Sequence, residues 1–285
     1  MTTDSYVVDP LVFPGGDIGS LAVHGTVNDL AMLGAEPLYL TAGFILEEGL
    51  DLETLRYIVS SMSLAAKMAG IHIVAGDTKV VPRGKADKLF INTAGIGVIP
   101  AHIQIDGSRA RPGDAVLVSG TLGDHGMAVL CQREGLAFEN EILSDSAPLH
   151  DMVARILDIC PNLHVLRDPT RGGLATTLNE IAQQSRVGIR LFEEMLPIRE
   201  DVAGACEMLG LDPLYVANEG KLIAIMPAEY AESVLRCIRS HPLGANAMCI
   251  GEVTDAEPGR VFLRTRIGGH RLIDMLRGEQ LPRIC

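Results

Sequence analysis

The chain has 285 residues, 47% of them hydrophobic and 21% charged, and carries a net charge of −12. That length suits two domains better than one core, and the acidic balance excludes nucleic acid or an anionic membrane as a partner, since either calls for a basic face. No apolar run approaches the roughly 18 residues that span a bilayer, and Met1-Thr2-Thr3-Asp4-Ser5 lacks the basic and apolar regions of a signal peptide, so a cytoplasmic protein is expected.

A first strand is expected over Ser5-Tyr6-Val7-Val8, ended by Asp9-Pro10, with little before it to cover its edge. Phe13-Pro14-Gly15-Gly16-Asp17 reads as a loop entering a helix, with Asp17 as N-cap. Along that helix Ile18, Leu21, Ala22, Gly25 and Met32 define a buried stripe. Asn28 and Asp29 fall on the same stripe. An isolated buried charge is too costly, so Asp29 is either a structurally paired carboxylate or a metal-binding one.

Asp51 caps a second amphipathic helix, closed by Gly70. Ile71-His72-Ile73-Val74-Ala75 has the apolar character of a buried strand and ends in Gly76-Asp77-Thr78-Lys79. A carboxylate, a hydroxyl and an ammonium at a strand end suit magnesium and phosphate oxygens, although no Walker motif occurs. His72 reads as a core or dimer-face residue rather than a ligand. Another strand runs from Leu89 to Ile99, and the polar stretch between Pro100 and Pro112 marks a junction, giving domains 1–106 and 107–277.

In the second domain, Ala115 to Ser119 is a strand, and Gly120-Thr121-Leu122-Gly123-Asp124-His125-Gly126 leads into a helix from Met127. That segment is either a phosphate-contacting loop or a tight strand-to-helix turn. Leu166-Arg167-Asp168-Pro169-Thr170-Arg171-Gly172-Gly173 precedes a helix from Leu174 to Gln184, echoing the earlier Asp-Pro and Gly-Gly. Tyr215 to Leu222 places Glu219 beside a glycine between two strand-like runs, where a buried carboxylate is a candidate base. Ala231 to Val261 reads as a helix followed by strands, with a turn at Ser240-His241-Pro242.

A final helix is expected from Arg271 to Leu276, broken by Gly278 and kept from resuming by Pro282. Residues 278–285 then form a mobile extended tail reaching on the order of 20 Å. It ends in a thiol whose ionisation Arg283 favours and the terminal carboxylate opposes. The six cysteines, at 131, 160, 206, 237, 249 and 285, show no CxxC pair. The first five lie among apolar neighbours as small core residues, and Cys285 alone is placed to react, unless the terminus is simply frayed.

Taken together, TTDSYVVDP, FPGGDIG, GTVNDLAMLGA, GFILEEGL, IVAGDTKVV, KLFINTAG, VSGTLGDHG, RDPTRGG, ANEGKL, HPLG and the terminal PRIC resemble the HypE family of hydrogenase maturation proteins. That family lies in the superfamily of aminoimidazole ribonucleotide synthetase and selenophosphate synthetase. The resemblance runs from Thr2 to Cys285, and PRIC is its most specific element. It implies an α+β protein of two domains, the N-terminal domains of a homodimer sharing a sheet or barrel and the C-terminal domain forming an α/β sandwich. It also implies that a carbamoyltransferase, HypF, loads a carbamoyl group on the terminal cysteine. ATP-dependent dehydration then yields a thiocyanate, whose cyanide passes to iron on a HypC–HypD complex for nickel–iron hydrogenase.

On this reading Cys285 carries the carbamoyl group, Lys79 stabilises charge on the phosphoryl or carbamoyl oxygen, and Glu219 accepts the nitrogen proton. Asp4, Asp29, Asp77, Thr78 and Asp168 bind Mg2+ and ATP, with Asp4, Asp29 and Asp77 as the metal ligands. The family's Gly-rich segment before the TTD strand has no counterpart here, so weaker ATP binding or turnover is expected. Two other readings stay open. A selenophosphate-synthetase-like kinase needs a reactive Cys or Sec near its N-terminus, and none precedes Cys131. The other is a non-catalytic scaffold docking through its acidic surface and tail.

Overall fold

A computed structural model of the chain describes residues 1–136, 141–276, 278 and 283–285. The N-terminal part comprises β1 (Thr2–Tyr6), β2 (Val12–Phe13), β3 (Gly16–Asp17), α1 (Ile18–Met32), β4 (Glu36–Glu47), α2 (Leu52–Met68), β5 (His72–Val81) and β6 (Leu89–Val98). β2 and β3 form a short hairpin, and the other strands make one sheet in the order β1-β6-β4-β5, with only β4 and β5 parallel. Asp17 caps α1 by accepting from the amides of Gly19 and Ser20, and Ser20 bonds back to the Asp17 amide. α1 is buried on nearly every side, which is why its sequence is apolar around most of the helix.

The C-terminal part comprises β7 (Asp114–Val118), α3 (Asp124–Glu134), α4 (His150–Ile159), β8 (Val165–Arg167), α5 (Gly173–Ser185), β9 (Gly188–Phe192), α6 (Glu200–Leu209), β10 (Ile223–Pro227), α7 (Ala228–Ser240), β11 (Met248–Thr254), β12 (Val261–Arg264) and β13 (His270–Ile273). Seven strands form one sheet in the order β13-β12-β9-β11-β7-β10-β8. Alternate residues of β7 explain its layers: Val116 and Val118 pack with Leu174, Leu178 and Ile181 of α5, whereas Ala115 and Leu117 pack with α4 and α7. Ala31 and Met32, at the end of α1, join the second cluster, so the two domains share a packed seam. Among the described residues no helix is long and apolar enough to cross a membrane.

Three expectations are corrected. The segment from Arg271 is a strand, β13, paired with β12 in register Phe262 to Leu272; short apolar runs do not distinguish the two states without their partner. β5 is exposed along its length rather than buried, because it is the edge strand and α2 covers little of it, so His72 is exposed and outside the core. The first strand begins at Thr2 and ends at Tyr6, ahead of the Ser5–Val8 expectation. The Gly120–Gly126 segment is a tight turn, since the amides of Leu122, Gly123 and Gly126 all donate to protein acceptors. Residues 279–282, Pro282 included, lie outside the described residues.

Candidate active site

Pairing of β1 with β6 sets Asp4 opposite the fully buried Thr93, on the sheet face that packs against α1. Asp29 rises from α1 toward the same place, accepting from Thr2 Oγ1 at 2.8 Å. With Asp168, from the loop after β8, these two line a cavity of about 380 Å3 that also includes Arg167, Arg171 and Glu180. Burial, then Asp168, pushes the Asp29 carboxyl up to about 6. Burial raises Asp168 too. Mutually repelling carboxylates at a cavity are the donor set a divalent cation would relieve. Among the described residues no three His, Cys, Asp or Glu side chains are placed to cage a metal alone. The arrangement therefore fits magnesium held by one or two carboxylates together with phosphate oxygens.

Arg171 joins this cavity to a second, of about 360 Å3, which ends at Cys285. Its guanidinium pairs with Asp4 Oδ1 at 3.2 Å and lines the second cavity together with Cys285. The loop can pass this way because Gly173, at φ +60°, lies against the Leu214 and Val216 carbonyls, where a Cβ would come within 2.6 Å.

Glu219 lies in the buried stretch before β10, 3% exposed, and its Oε1 has no hydrogen-bond partner. Burial first, then the surrounding Asp168, Asp145, Asp4 and Asp29, holds its carboxyl well above the ordinary range. The backbone around it is anchored. The Glu219 amide donates to Asp145 Oδ1 at 3.2 Å, Lys221 pairs with Asp145 Oδ2 at 3.0 Å, and Asn28 Nδ2 donates to the Glu219 carbonyl at 3.1 Å.

The last three residues are docked. The Val7 amide donates to the Cys285 carbonyl at 3.0 Å and the Asp9 amide to the Arg283 carbonyl at 3.2 Å, so the tail runs alongside residues 7–9. Ile284 is buried in the N-terminal core. Burial, then Glu219, pushes the Cys285 thiol up to about 12, against the opposing pull of Arg171. Arg283 is not the cation beside the sulfur: its guanidinium forms an ion pair with Asp87.

Asp4, Asp29, Asp168, Glu219 and Cys285 are thus brought together within one chain, and Asp77, Thr78 and Lys79 are not. Asp77 is opposite Gly43, which is opposite Asn92, which is opposite Ser5. Three strand spacings, about 14 Å, separate it from β1. Alternation also turns Asp77 and Lys79 to the open face, whereas Asp4 faces α1. Both are largely exposed and pair with each other at 3.1 Å. Within a single chain Asp77 therefore cannot share a metal with Asp4 and Asp29.

Arg171, Asp145 and Lys221 were not singled out in the sequence. Arg171 belongs to the conspicuous RDPTRGG run and Lys221 follows Glu219 by two, but nothing around Asp145 in the sequence marks it.

The model of the AIR synthase related protein N-terminal domain matches residues 1–99, and that of the C-terminal domain matches residues 111–264. A carbamoyl dehydratase HypE of Cupriavidus necator is 62% identical over 287 residues, covering 100% of this chain and 81% of that protein. A crystal structure of hydrogenase maturation protein HypE in complex with ATP superposes with a TM-score of 0.97 at 57% identity, covering 100% of this chain and 86% of the other. The crystal structure of a HypE–HypF complex gives 0.94 at 52% identity, covering 96% of this chain and 90% of the matched chain. The chain belongs to the AIR synthase related family, within the branch of the HypE carbamoyl dehydratases.

Proposed function

We propose that this chain dehydrates a carbamoyl group carried on the Cys285 sulfur to a thiocyanate, using ATP, and so supplies cyanide for hydrogenase iron. The observation that carries this reading is the joining of two cavities at Arg171, one lined by carboxylates and the other closed by a thiol, with a Glu219 Oε1 near them that has no hydrogen-bond partner among the described residues. Asp4, Asp29 and Asp168 hold magnesium and the phosphates. Bound ATP, its charge screened by magnesium, supplies the phosphoryl group that turns the carbamoyl oxygen into a leaving group.

The carbamoyl carbon must lose its oxygen, and its nitrogen must lose both protons. Glu219 is suited to take a nitrogen proton because its surroundings make the ionised carboxylate a strong base and favour the acid it becomes. Arg171, which lines the cavity that ends at Cys285, holds the carbamoyl oxygen. Asp77, Thr78 and Lys79 complete the phosphate-binding group from the open face of a second copy, in a homodimer. The exposed apolar residues Tyr39, Ile45, Ile73, Val74 and Ile96 on β4, β5 and β6 support that pairing.

HypF is the donor of the carbamoyl group, in keeping with the HypE–HypF complex, and a HypC–HypD complex receives the product. The six cysteines are all free thiols, as suits a reducing cytoplasm. The test is intact-mass analysis of the C-terminal peptide after incubation with HypF, carbamoyl phosphate and ATP. A carbamoyl adduct that loses water only with ATP is expected, and Glu219→Gln should halt it at the adduct. Water loss without ATP, or an adduct on another cysteine, defeats the reading.

A further inference from the structure

His125, the second residue of α3, is fully buried, with its ring in edge-on contact with Phe13 at 5.4 Å. Its Nε2 lies 2.9 Å from the Ile284 carbonyl oxygen and its Nδ1 2.8 Å from Ser144 Oγ. A carbonyl oxygen can only accept, so Nε2 carries the proton and Nδ1 accepts from the serine hydroxyl. Burial holds the ring below its ordinary range, hence neutral, in agreement with that tautomer.

Eight residues further along, at the end of the same helix, Arg133 donates to the Arg283 carbonyl through Nη2 and to the Asp9 carbonyl through Nε at 2.7 Å. One helix thus addresses two successive carbonyl oxygens of the tail, those of residues 283 and 284. The amides of Val7 and Asp9 meet the carbonyls of 285 and 283 from the other side. All these contacts read backbone. Ile284 alone supplies a buried side chain, and the thiol is delivered to Arg171 and into the field of Glu219.

We propose that His125, with Arg133, is the latch that docks the chain's own last three residues and so positions the Cys285 sulfur for dehydration. The latch itself stands on the contacts above, and its catalytic consequence rests on the proposed function. Docking and loading make opposite demands. A docked thiol is shielded from the carbamoyl donor, and an undocked one is out of reach of Glu219. Weakening the latch therefore speeds loading of Cys285 and slows dehydration, whereas damage to the fold slows both.

The experiment compares the full-length wild type with His125→Phe, His125→Gln and Ile284→Ala. Phenylalanine keeps the ring and loses the donor, and glutamine restores an N–H near Nε2. Alkylation of Cys285 by a bulky maleimide is timed by mass spectrometry of the C-terminal peptide. Loading from HypF and ATP-dependent loss of water are timed in parallel. His125→Phe should raise alkylation and lower the dehydration rate by factors that multiply to about two- to tenfold, the shift in the open-to-docked ratio expected from losing one net hydrogen bond. His125→Gln should recover most of both. Ile284→Ala acts from the tail side with the same signature, and it decides the matter if His125→Phe does not fold. Unchanged alkylation in both His125→Phe and Ile284→Ala, or loading and dehydration falling together, overturns the latch. Alkylation that responds as stated in a protein whose wild type never dehydrates the adduct leaves the latch standing and removes the proposed function.

Discussion

Asn28 of α1 donates to the carbonyl oxygen of Glu219 at 3.1 Å, so that one buried side chain ties the N-terminal helix to the backbone before β10. The same amide group donates to the Ala147 carbonyl at 3.0 Å and accepts from the Leu149 amide at 2.8 Å. Asn28→Ala orphans three buried backbone groups. The expected loss is about 3 kcal/mol of stability, since each unsatisfied buried group costs about 1–3 kcal/mol and the backbone relaxes in part. Urea unfolding measures it, and dehydration should fall more steeply than folding alone explains because the Glu219 backbone loses a fixed point.

Asp29 makes stability depend on pH. Its carboxyl has an ordinary value of 3.8 and stands at about 6 in the fold, so the fold favours the protonated form. That contribution is complete below about pH 4 and is lost as pH rises through about 6. The gap corresponds to about 3 kcal/mol, and partial exposure of the site lowers the expected effect to about 2 kcal/mol. Asp29→Asn should therefore be the more stable protein at pH 7 without nucleotide, and equal to wild type near pH 4. Adding Mg-ATP should reverse the order at pH 7, as thermal unfolding with and without it will show.

Arg171 separates activity from stability. Its pair with Asp4 is largely exposed on the arginine side, and such pairs contribute about 0–1 kcal/mol. Arg171→Met should leave the unfolding midpoint nearly unchanged while lowering the dehydration rate about 10²- to 10³-fold, the usual cost of losing a donor to developing negative charge. Arg171→Lys should recover little, because an ammonium lacks the planar fork that can hold Asp4 and the carbamoyl oxygen together. Single-turnover kinetics on the loaded protein check both.

A site completed by a second copy makes a prediction about mixtures. Lys79→Ala and Glu219→Gln are each expected to be inactive. A dimer of one with the other contains one site with both native residues. Random mixing should restore about a quarter of wild-type activity if the site is shared between copies. No recovery after unfolding and refolding the mixture would place all the groups in one chain.

The N-terminal helices were legible in the sequence because their signals are local: Asp17 and Asp51 cap helices at the expected positions. The grouping of Asp4, Asp29, Asp168, Glu219 and Cys285 came from their resemblance to a known family and from carboxylates in apolar surroundings. β5 misled because an apolar edge strand and a buried strand share a composition, and what covers the strand decides between them. The separation of Asp77 from Asp4 depends on strand order and on which way alternate side chains point, neither of which is written in a local stretch. Asp145 and His125 could not be found in advance for a related reason. Their roles come from backbone groups of residues 219 and 284, brought near by the fold alone.

The height of the Cys285 thiol has a consequence for durability. At about 12, only about one molecule in 10⁵ carries a thiolate at pH 7, against a few per cent for a cysteine in water. Peroxide and disulfides attack the thiolate, so a seated tail is inert to the oxidants that ordinarily age an accessible cysteine. The same burial that shields the sulfur thus preserves it between turnovers, and oxidative loss should track the fraction of time the terminus spends in solvent.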